Sequence, residues 1–344
     1  MNPDRWLASG LVPDFLIRLG IRRAIAERLA EDPGTPEGRH AKLDAHVRML
    51  RESPLAVNTD DANAQHYEVP AEFFRLVLGP RLKYSCAWWP AGVETLAEAE
   101  EAMLRLTCER ARLEDGQSVL ELGCGWGSLS LWMAEHFPNS RITAVSNSAS
   151  QRAHIEARAR EIGVSNLEVL TRDVRELELD GWFDRVVSVE MFEHMRNYEE
   201  LMRRIARWLA PGGMLFVHVF SHAHIAYVFE DKGPNDWMAR HFFTGGQMPA
   251  DDLLPQFQDD LELVERFVFD GTHYRRTAEA WLGNMDGNAK QIRPIFAATY
   301  GADNAARFFA YWRIFFMACA EVWGYRDGSE WLVSHYLFRK GRGT

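Results

Sequence analysis

Residues 119–132 read "VLELGCGWGSLSLW", and this stretch decides the fold class. A short apolar run ends at three alternating glycines, Gly123, Gly125 and Gly127, and a helix-like segment follows. Glycine lets the backbone turn sharply and lets a ligand approach the main chain closely. The stretch therefore predicts a buried strand, a ligand-binding loop and a helix in immediate succession.

Apolar runs and helix-like segments alternate through the chain around this stretch. The runs are "QSVLELG", "RITAVS", "NLEVLTRD", "FDRVVSVE" and "GGMLFVHVF". Nearly continuous apolar strands between helices are typical of a parallel sheet that is covered on both faces. Near the C-terminus, "ELVERFVFDG" and "WLVSHYLFRK" alternate in polarity and are interpreted as the last strands of the same sheet. We expect an α/β fold with a Rossmann-like seven-stranded sheet.

The chain outside the predicted sheet divides into a cap and two insertions. Residues 1–115 are mostly helical in pattern, which predicts a helical N-terminal cap before a catalytic domain at 116–344. The segments at about 221–260 and 272–325 interrupt the alternation and are rich in aromatic residues. We expect these insertions to cover a binding site.

The first helix of the cap, "GLVPDFLIRLGIRRAIAERLAED", is basic and amphipathic. Its predicted apolar face consists of Phe15, Leu16, Leu19, Ile25 and Leu29. Such a helix can lie on a membrane surface or pack on its own protein, and packing is the commoner arrangement. We expect it to pack.

Composition limits the classes of partner. The net charge of −10 gives no electrostatic support for a nucleic-acid partner. The four cysteines form no C-x-x-C pair and have no zinc-site spacing, so we expect reduced thiols and no metal. The N-terminus has no apolar signal region and no run approaches a membrane span in length. We predict a cytoplasmic protein without stable membrane insertion.

The glycine spacing and the residue before it favour one cofactor. A dinucleotide site usually has the pattern G-x-G-x-x-G, with pyrophosphate at the helix N-terminus. Here the pattern is G-x-G-x-G, and Glu121 stands at the end of the preceding strand. A carboxylate there repels a pyrophosphate and suits a cofactor that carries an ammonium and a sulfonium. The pattern therefore favours S-adenosyl-L-methionine.

Polar residues after the next two strands are candidates for holding the adenosine. Asn147 follows the second strand, and Gln151 lies one turn into the following helix. Both can hydrogen-bond to ribose hydroxyls without a charge. Asp173, after the third strand, can accept from the adenine amine, while the Val174 backbone contacts the ring. Asp173 fits the N-cap of a helix equally well.

The stretch "VEMFEHM", residues 189–195, follows the fourth apolar run and carries three titratable groups. If the chain turns helical after the strand, Glu190, Glu193 and His194 are at positions i, i+3 and i+4 and share one face. The C-terminal end of a parallel strand is where open α/β sheets bind ligands. These three residues are therefore candidates for handling a proton.

The combination of motifs is specific for one superfamily. "LELGCGWG", "FDRVVSVEMFEHM" and "LAPGGMLFVHVF" resemble a class I methyltransferase. "KYSCAWW" and "SNSASQRAHI" resemble the cyclopropane fatty acid synthase and coclaurine N-methyltransferase superfamily. "GLVPDFLIRLGIRRAIAERL", "NDWMARHFFTGGQMP" and "GSEWLVSHYLFRK" resemble its N-methyltransferase branch, which acts on benzylisoquinoline-type amines. The resemblance implies that Tyr84 and Ser85 close over the methionine part of the cofactor.

The lipid branch of this superfamily methylates an alkene and removes a proton with a bound bicarbonate. The resemblance maps the bicarbonate cradle onto Cys86, Glu193, His218 and Phe315. Cyclopropane synthases have a tyrosine at the Phe315 position and typically a glycine at the Glu190 position. His218 on its own fits a buried core histidine at least as well.

The amine branch needs a neutral nitrogen, and therefore a base. Its members carry E-x-x-E-H, which "EMFEH" matches, so His194 or Glu193 is the candidate base and Glu190 the candidate amine anchor. Tyr67 and Glu68, in "HYEVP", are further substrate-binding candidates, although Glu68 also fits a solvated loop. The sequence favours an amine N-methyltransferase over a cyclopropane synthase-type C-methyltransferase and over a non-catalytic cofactor-binding protein. The predicted partner is a small-molecule amine, and a homodimer is one candidate assembly.

Overall fold

A computed structural model describes residues 10–57, 69–231, 233 and 236–341. Its strands, in chain order, are β1 (Ser118–Leu122), β2 (Arg141–Ser146), β3 (Leu167–Thr171), β4 (Phe183–Val189), β5 (Leu209–His222), β6 (Tyr227–Val228), β7 (Gln247–Met248), β8 (Leu261–Phe269) and β9 (Trp331–Lys340). Seven of them form one sheet in the order β3-β2-β1-β4-β5-β9-β8. The first five run parallel, and β9 is antiparallel to both of its neighbours. The predicted seven-stranded α/β fold is confirmed.

Helices cover this sheet and extend beyond it. They are α1 (Asp14–Leu29), α2 (Pro36–Glu52), α3 (Ala71–Val77), α4 (Leu96–Arg110), α5 (Ser128–His136), α6 (Ala149–Ile162), α7 (Tyr198–Trp208), α8 (Trp237–His241), α9 (Thr272–Gly287), α10 (Ala289–Tyr300) and α11 (Ala302–Gly324). Short 3₁₀ turns include Val174–Glu176 and Phe192–His194. The helices that the structure describes include none that is both long enough and apolar enough to cross a membrane.

The N-terminal helices and the second insertion share one aromatic core. Phe73 and Phe74 of α3 are fully buried against the rings of α10 and α11, with Phe73 centred 4.8 Å from Trp312. Burying a large aromatic side chain contributes about 1.5–3 kcal/mol, so this core holds the two regions together. The first insertion contributes β6, β7 and α8 to the rim of the same region.

Helix α1 packs on its own protein, through part of the face that the sequence indicated. Ile25 and Leu29 of that face pack on the aromatic core, together with Ile17 and Ile21. Phe15 and Leu19 of the same face are instead 68% and 62% exposed, so the prediction was right for the C-terminal part of the face and wrong for its N-terminal part. Ion pairs help to hold α1 in this orientation, since Arg18 contacts Glu279 at 2.6 Å and Glu321 at 2.9 Å.

Candidate active site

The glycine loop is shaped by backbone positions that exclude a side chain. Gly123 has φ +80°, and a Cβ there would lie 2.7 Å from the side chain of Met191. Gly127 has φ +81° at the N-terminus of α5, and a Cβ there would lie 2.6 Å from Ile155. Both positions are left-handed and crowded, so glycine is required on two grounds. The loop leaves the C-terminal end of β1 open to a ligand.

Two cavities meet at this loop. The larger, about 730 Å³, and a smaller one of about 90 Å³ share Gly123, Gly125, Gln151 and His194 in their walls. All nine predicted cofactor residues line one or both cavities: Tyr84, Ser85 and Glu121 the larger, Asn147, Asp173 and Val174 the smaller, and Gly123, Gly125 and Gln151 both. The structure therefore brings together residues that the sequence separates by up to 90 positions.

Glu121 is a buried carboxyl group whose ionisation a bound cation would favour. Its carboxylate is buried and accepts a hydrogen bond from Ser130. Burial raises its pKa to about 7, against the opposing effects of Ser130 and the Lys83 ammonium. Loss of the proton near neutral pH becomes favourable when a positive group approaches. The cavity wall thus fits the ammonium of S-adenosylmethionine.

The adenosine side of the site is ordered by local hydrogen bonds. The buried Gln151 accepts from Ser146 at 2.6 Å, which fixes the amide at the loop. Asp173 caps the 3₁₀ turn by accepting from the Arg175 backbone at 2.8 Å and also pairs with the Arg175 guanidinium. Burial raises the pKa of Asp173, but the Arg175 hydrogen bonds outweigh it and keep that pKa below the usual value. The capping role is confirmed, and the adenine contact stays a prediction.

Glu190 lies directly after β4, in a conformation that glutamate rarely adopts. Its φ is +47°, while its N–H donates to the His218 carbonyl at 2.8 Å and so remains tied to β5. Left-handed conformations cost about 1–3 kcal/mol for residues with a Cβ and persist where their surroundings hold them. This turn aims the carboxylate at the wall of the larger cavity.

Two hydrogen-bond donors and an imidazole nitrogen contact the Glu190 carboxylate. The Cys86 backbone N–H donates to Oε1 at 2.9 Å, and His218 Nε2 lies 3.3 Å from the same oxygen. The Tyr274 hydroxyl donates to Oε2 at 2.7 Å. Burial raises the pKa of Glu190, whereas the Lys83 charge and the hydrogen bonds from Cys86 and Tyr274 oppose that rise. The Cys86 and Tyr274 hydrogen bonds, one to each oxygen, fix the orientation of the carboxylate.

Glu190, Glu193 and His194 do not share one helical face, so that expectation was wrong. Residues 192–194 form a 3₁₀ turn, and Glu190 lies before it in a left-handed conformation. Glu193 is fully buried, accepts from the Phe220 N–H at 2.8 Å and is not in the cavity wall. His194 lines both cavities, with its ring centred 4.7 Å from that of Phe243. The cavities therefore present Glu190 and His194.

Burial strongly affects the protonation of Glu193. It raises the pKa of Glu193 well above the usual value, and the nearby Glu190 charge raises it further. Both effects favour the protonated form of Glu193, in which the carboxyl group cannot act as the base.

The predicted substrate-binding residues have different positions. Phe315 lines the larger cavity and stacks on Phe242 at 4.5 Å. Cys86 and His218 are not in its wall and reach it through the Glu190 carboxylate that they contact. Their assignment as substrate-binding residues stays a prediction. Tyr67 and Glu68 lie outside the described residues.

Two residues of the site were not predicted from the sequence. Tyr274 lies in the second insertion, 84 positions from the carboxylate that it contacts, and no local motif marks it. Lys83 is buried in the cavity wall and donates to Ser85. Its place in "KYSCAWW", beside two residues assigned to the cofactor, was an available signal.

The fold and the cavity walls together define a class I S-adenosylmethionine-dependent methyltransferase. The strand order with an antiparallel penultimate strand, the glycine loop and the acidic group at the end of β1 all agree with this class. The model of the mycolic acid cyclopropane synthetase family matches residues 57–330, and the chain belongs to this family.

The chain is more similar to relatives in the amine branch of the family than to the lipid enzyme compared below. (S)-coclaurine N-methyltransferase of Thalictrum flavum subsp. glaucum is 41% identical over 97% of this chain and 94% of its own length. A crystal structure of coclaurine N-methyltransferase bound to N-methylheliamine and S-adenosylhomocysteine has a TM-score of 0.95 at 39% identity and covers 98% of both chains. Cyclopropane-fatty-acyl-phospholipid synthase of Escherichia coli (strain K12) is 30% identical over 80% of this chain and 67% of its own length.

Proposed function

We propose that this protein transfers a methyl group from S-adenosylmethionine to the nitrogen of a small-molecule amine. The observation that carries the proposal is the Glu190 carboxylate, which Cys86, His218 and Tyr274 hold at the wall of a cavity that is rich in aromatic rings. A buried carboxylate attracts an ammonium and stabilises the cationic product. The similarity to coclaurine and pavine N-methyltransferases supports the same acceptor class.

The cavity also suits a cyclic or aromatic amine through its ring faces. Its wall contains Trp126, Phe220, Phe243, Trp281 and Trp323. Aromatic faces attract cations within about 6 Å of the ring centre and contribute about 0.5–2 kcal/mol. We propose an acceptor of the size and type named for the relatives, a coclaurine-like or heliamine-like amine.

We assign anchoring to Glu190 and proton removal to His194. Bound S-adenosylmethionine supplies an electrophilic methyl group on its sulfonium. Glu190 accepts a hydrogen bond from the amine and holds the nitrogen in line with that group. His194, which lines both cavities, takes a proton from the bound ammonium and so frees the nitrogen lone pair that accepts the methyl group. Glu193 anchors the turn to β5 through Phe220.

The replacement of bicarbonate by a side chain argues against alkene chemistry. The resemblance to the lipid branch maps a bicarbonate cradle onto Cys86, Glu193, His218 and Phe315, but the Glu190 carboxylate already contacts Cys86 and His218. Phe315, which has no hydroxyl, lines the cavity where the lipid enzymes have tyrosine. The cytoplasmic location, the homodimer and the division at residue 115 stay predictions.

A labelled-cofactor screen tests the proposal. The purified protein is incubated with methyl-labelled S-adenosylmethionine and either a panel of amines, including coclaurine and heliamine, or phospholipid vesicles with unsaturated chains. Mass spectrometry is expected to find label on amines alone. Label on acyl chains and none on amines would replace the proposal with the lipid function, and label on neither would support a non-catalytic binding protein.

A further inference from the structure

A chain of hydrogen bonds leads from Glu190 away from the cavity, across β5 and β9, to Arg110 at the end of α4. His218 Nε2 lies 3.3 Å from Glu190 Oε1, and His218 Nδ1 lies 2.8 Å from His335 Nε2. His335 Nδ1 lies 2.9 Å from Arg110 Nη1. The two histidines are directly opposite each other on antiparallel strands, so the sheet itself sets their separation.

Arg110 determines which atom donates in each hydrogen bond of this series. Burial lowers its pKa to about 10, so it stays charged at neutral pH and can only donate. Burial lowers the pKa of His218 and of His335 well below the usual value, so each ring is neutral and carries one N–H. Because His335 Nδ1 must accept from Arg110, its Nε2–H donates to His218 Nδ1. The remaining N–H of His218, on Nε2, then faces Glu190.

We propose that Arg110 is a positioning residue for the amine site: through His335 and His218 it keeps an N–H directed at Glu190 and keeps that side chain an ionised acceptor. The functional part of this inference rests on the amine methyltransfer proposed above. Arg110 itself is not in the cavity wall, and its effect on the substrate passes through two rings.

Loss of the arginine allows both histidines to reverse. Without a donor at Nδ1, His335 can move its proton there and accept from His218, whose bare Nε2 then faces Glu190. Two lone pairs in contact repel, so Glu190 binds a proton and loses its charge. Other groups that act on Glu190 come from four further segments: Lys83 and Cys86, Glu193, Tyr274 and Cys319. None of these side chains is altered when Arg110 is replaced. A shift in the pKa of Glu190 would therefore result from the loss of Arg110 and its hydrogen bonds.

The packing role of Arg110 can be separated from its donor role. Its guanidinium lies 4.2 Å from the ring centre of Phe267 and 4.5 Å from that of Phe269. Methionine retains apolar contact with both rings and cannot donate, whereas lysine retains a charged donor. Arg112→Met is a matched control, because Arg112 is an exposed arginine two positions on that pairs with Glu265 of β8.

Kinetics over a range of pH provide the first test. We expect Arg110→Met to raise KM for the amine about tenfold or more, because a hydrogen bond to a charged group is lost. The acid limb of its kcat/KM profile moves to higher pH, since Glu190 ionises less readily. Arg110→Lys recovers most of the loss, and Arg112→Met behaves as the parent protein. Equal profiles for Arg110→Met and Arg112→Met would overturn the proposal.

Histidine NMR provides a test that needs no substrate, so it stands even if the methyl acceptor is not an amine. With isotope-labelled histidine, His218 and His335 are expected as neutral Nε2–H tautomers in the parent and to reverse in Arg110→Met. If that variant does not fold, His335→Gln, which keeps an acceptor and a donor, is compared with His335→Leu, which keeps neither. Retention of the His218 tautomer in the leucine or methionine variant refutes the chain.

Discussion

Replacing Glu190 by glutamine tests the proposed anchor with little structural disturbance. Glutamine has the same shape, and its carbonyl oxygen can still accept from the Cys86 N–H and from His218. Its amide nitrogen would face the Tyr274 hydroxyl, which can accept instead of donate. The substitution therefore removes the charge and leaves the hydrogen-bond pattern largely in place.

The expected loss follows from the charge alone. A hydrogen bond to a charged partner contributes about 1.5–3 kcal/mol, and about 1.4 kcal/mol corresponds to a factor of ten. We expect kcat/KM on an amine to fall about 10- to 100-fold, mainly through KM, because the anchor holds the substrate before and during transfer. Steady-state kinetics measure this, with the exposed Glu262→Gln variant of β8 as control. A kcat/KM that matches the parent would refute the anchoring role.

Stability should change in the opposite sense. Burial raises the pKa of Glu190 above its usual 4.5, so the folded protein holds this proton more tightly than the unfolded chain. The stability linked to the protonated form is complete below pH 4.5 and is lost as the pH rises through the folded-state pKa. The Glu190→Gln variant does not lose this stability. Its thermal midpoint relative to that of the parent protein should therefore rise as the pH increases above 4.5. Glu190→Ala should instead be destabilised, by roughly 1–3 kcal/mol for each donor left unpaired.

Three further outcomes are expected. Glu190→Gly should lose amine turnover and regain part of it with added formate, because a free carboxylate can occupy the space between Cys86 and His218; no response to formate would contradict this. Affinity for S-adenosylmethionine should fall by up to about tenfold for each pH unit below about 7, because Glu121 must first lose its proton. Calorimetry measures this affinity, and the Glu121→Gln variant should show no such pH dependence. His194→Gln should lower kcat at least about a hundredfold, whereas Glu193→Gln should retain it, and the reverse order would make Glu193 the base.

Most of the cofactor half of the site was predictable because most of its residues lie at or after the end of a strand, whereas Tyr84 and Ser85 came only from the family resemblance. The glycine loop, Asn147 and Asp173 lie at the ends of β1, β2 and β3, and parallel strands bring their carboxyl ends to one edge. A correct assignment of strands therefore places these residues together without further information.

The substrate half depends on contacts between distant parts of the chain. Tyr274 reaches Glu190 across 84 positions, and Arg110 reaches His335 across 225. The turn after β4 is also set by tertiary contacts, since no propensity predicts a left-handed glutamate. The packed face of α1 was only partly predicted for the same reason, because Ile17 and Ile21 pack on the aromatic core while Phe15 and Leu19 are exposed.

The strain at Glu190 and its hydrogen bonds are two parts of one arrangement. A residue with a Cβ at φ +47° is held there only if its surroundings compensate, and each net hydrogen bond contributes about 0.5–1.5 kcal/mol. Cys86, Tyr274 and His218 supply three such bonds, from the loop before α4, from α9 and from β5. The same three segments shape the cavity, so a substrate that draws the carboxylate towards itself must work against all of them. The carboxyl group is therefore in place before the amine arrives, and its reorganisation during methyl transfer is correspondingly small.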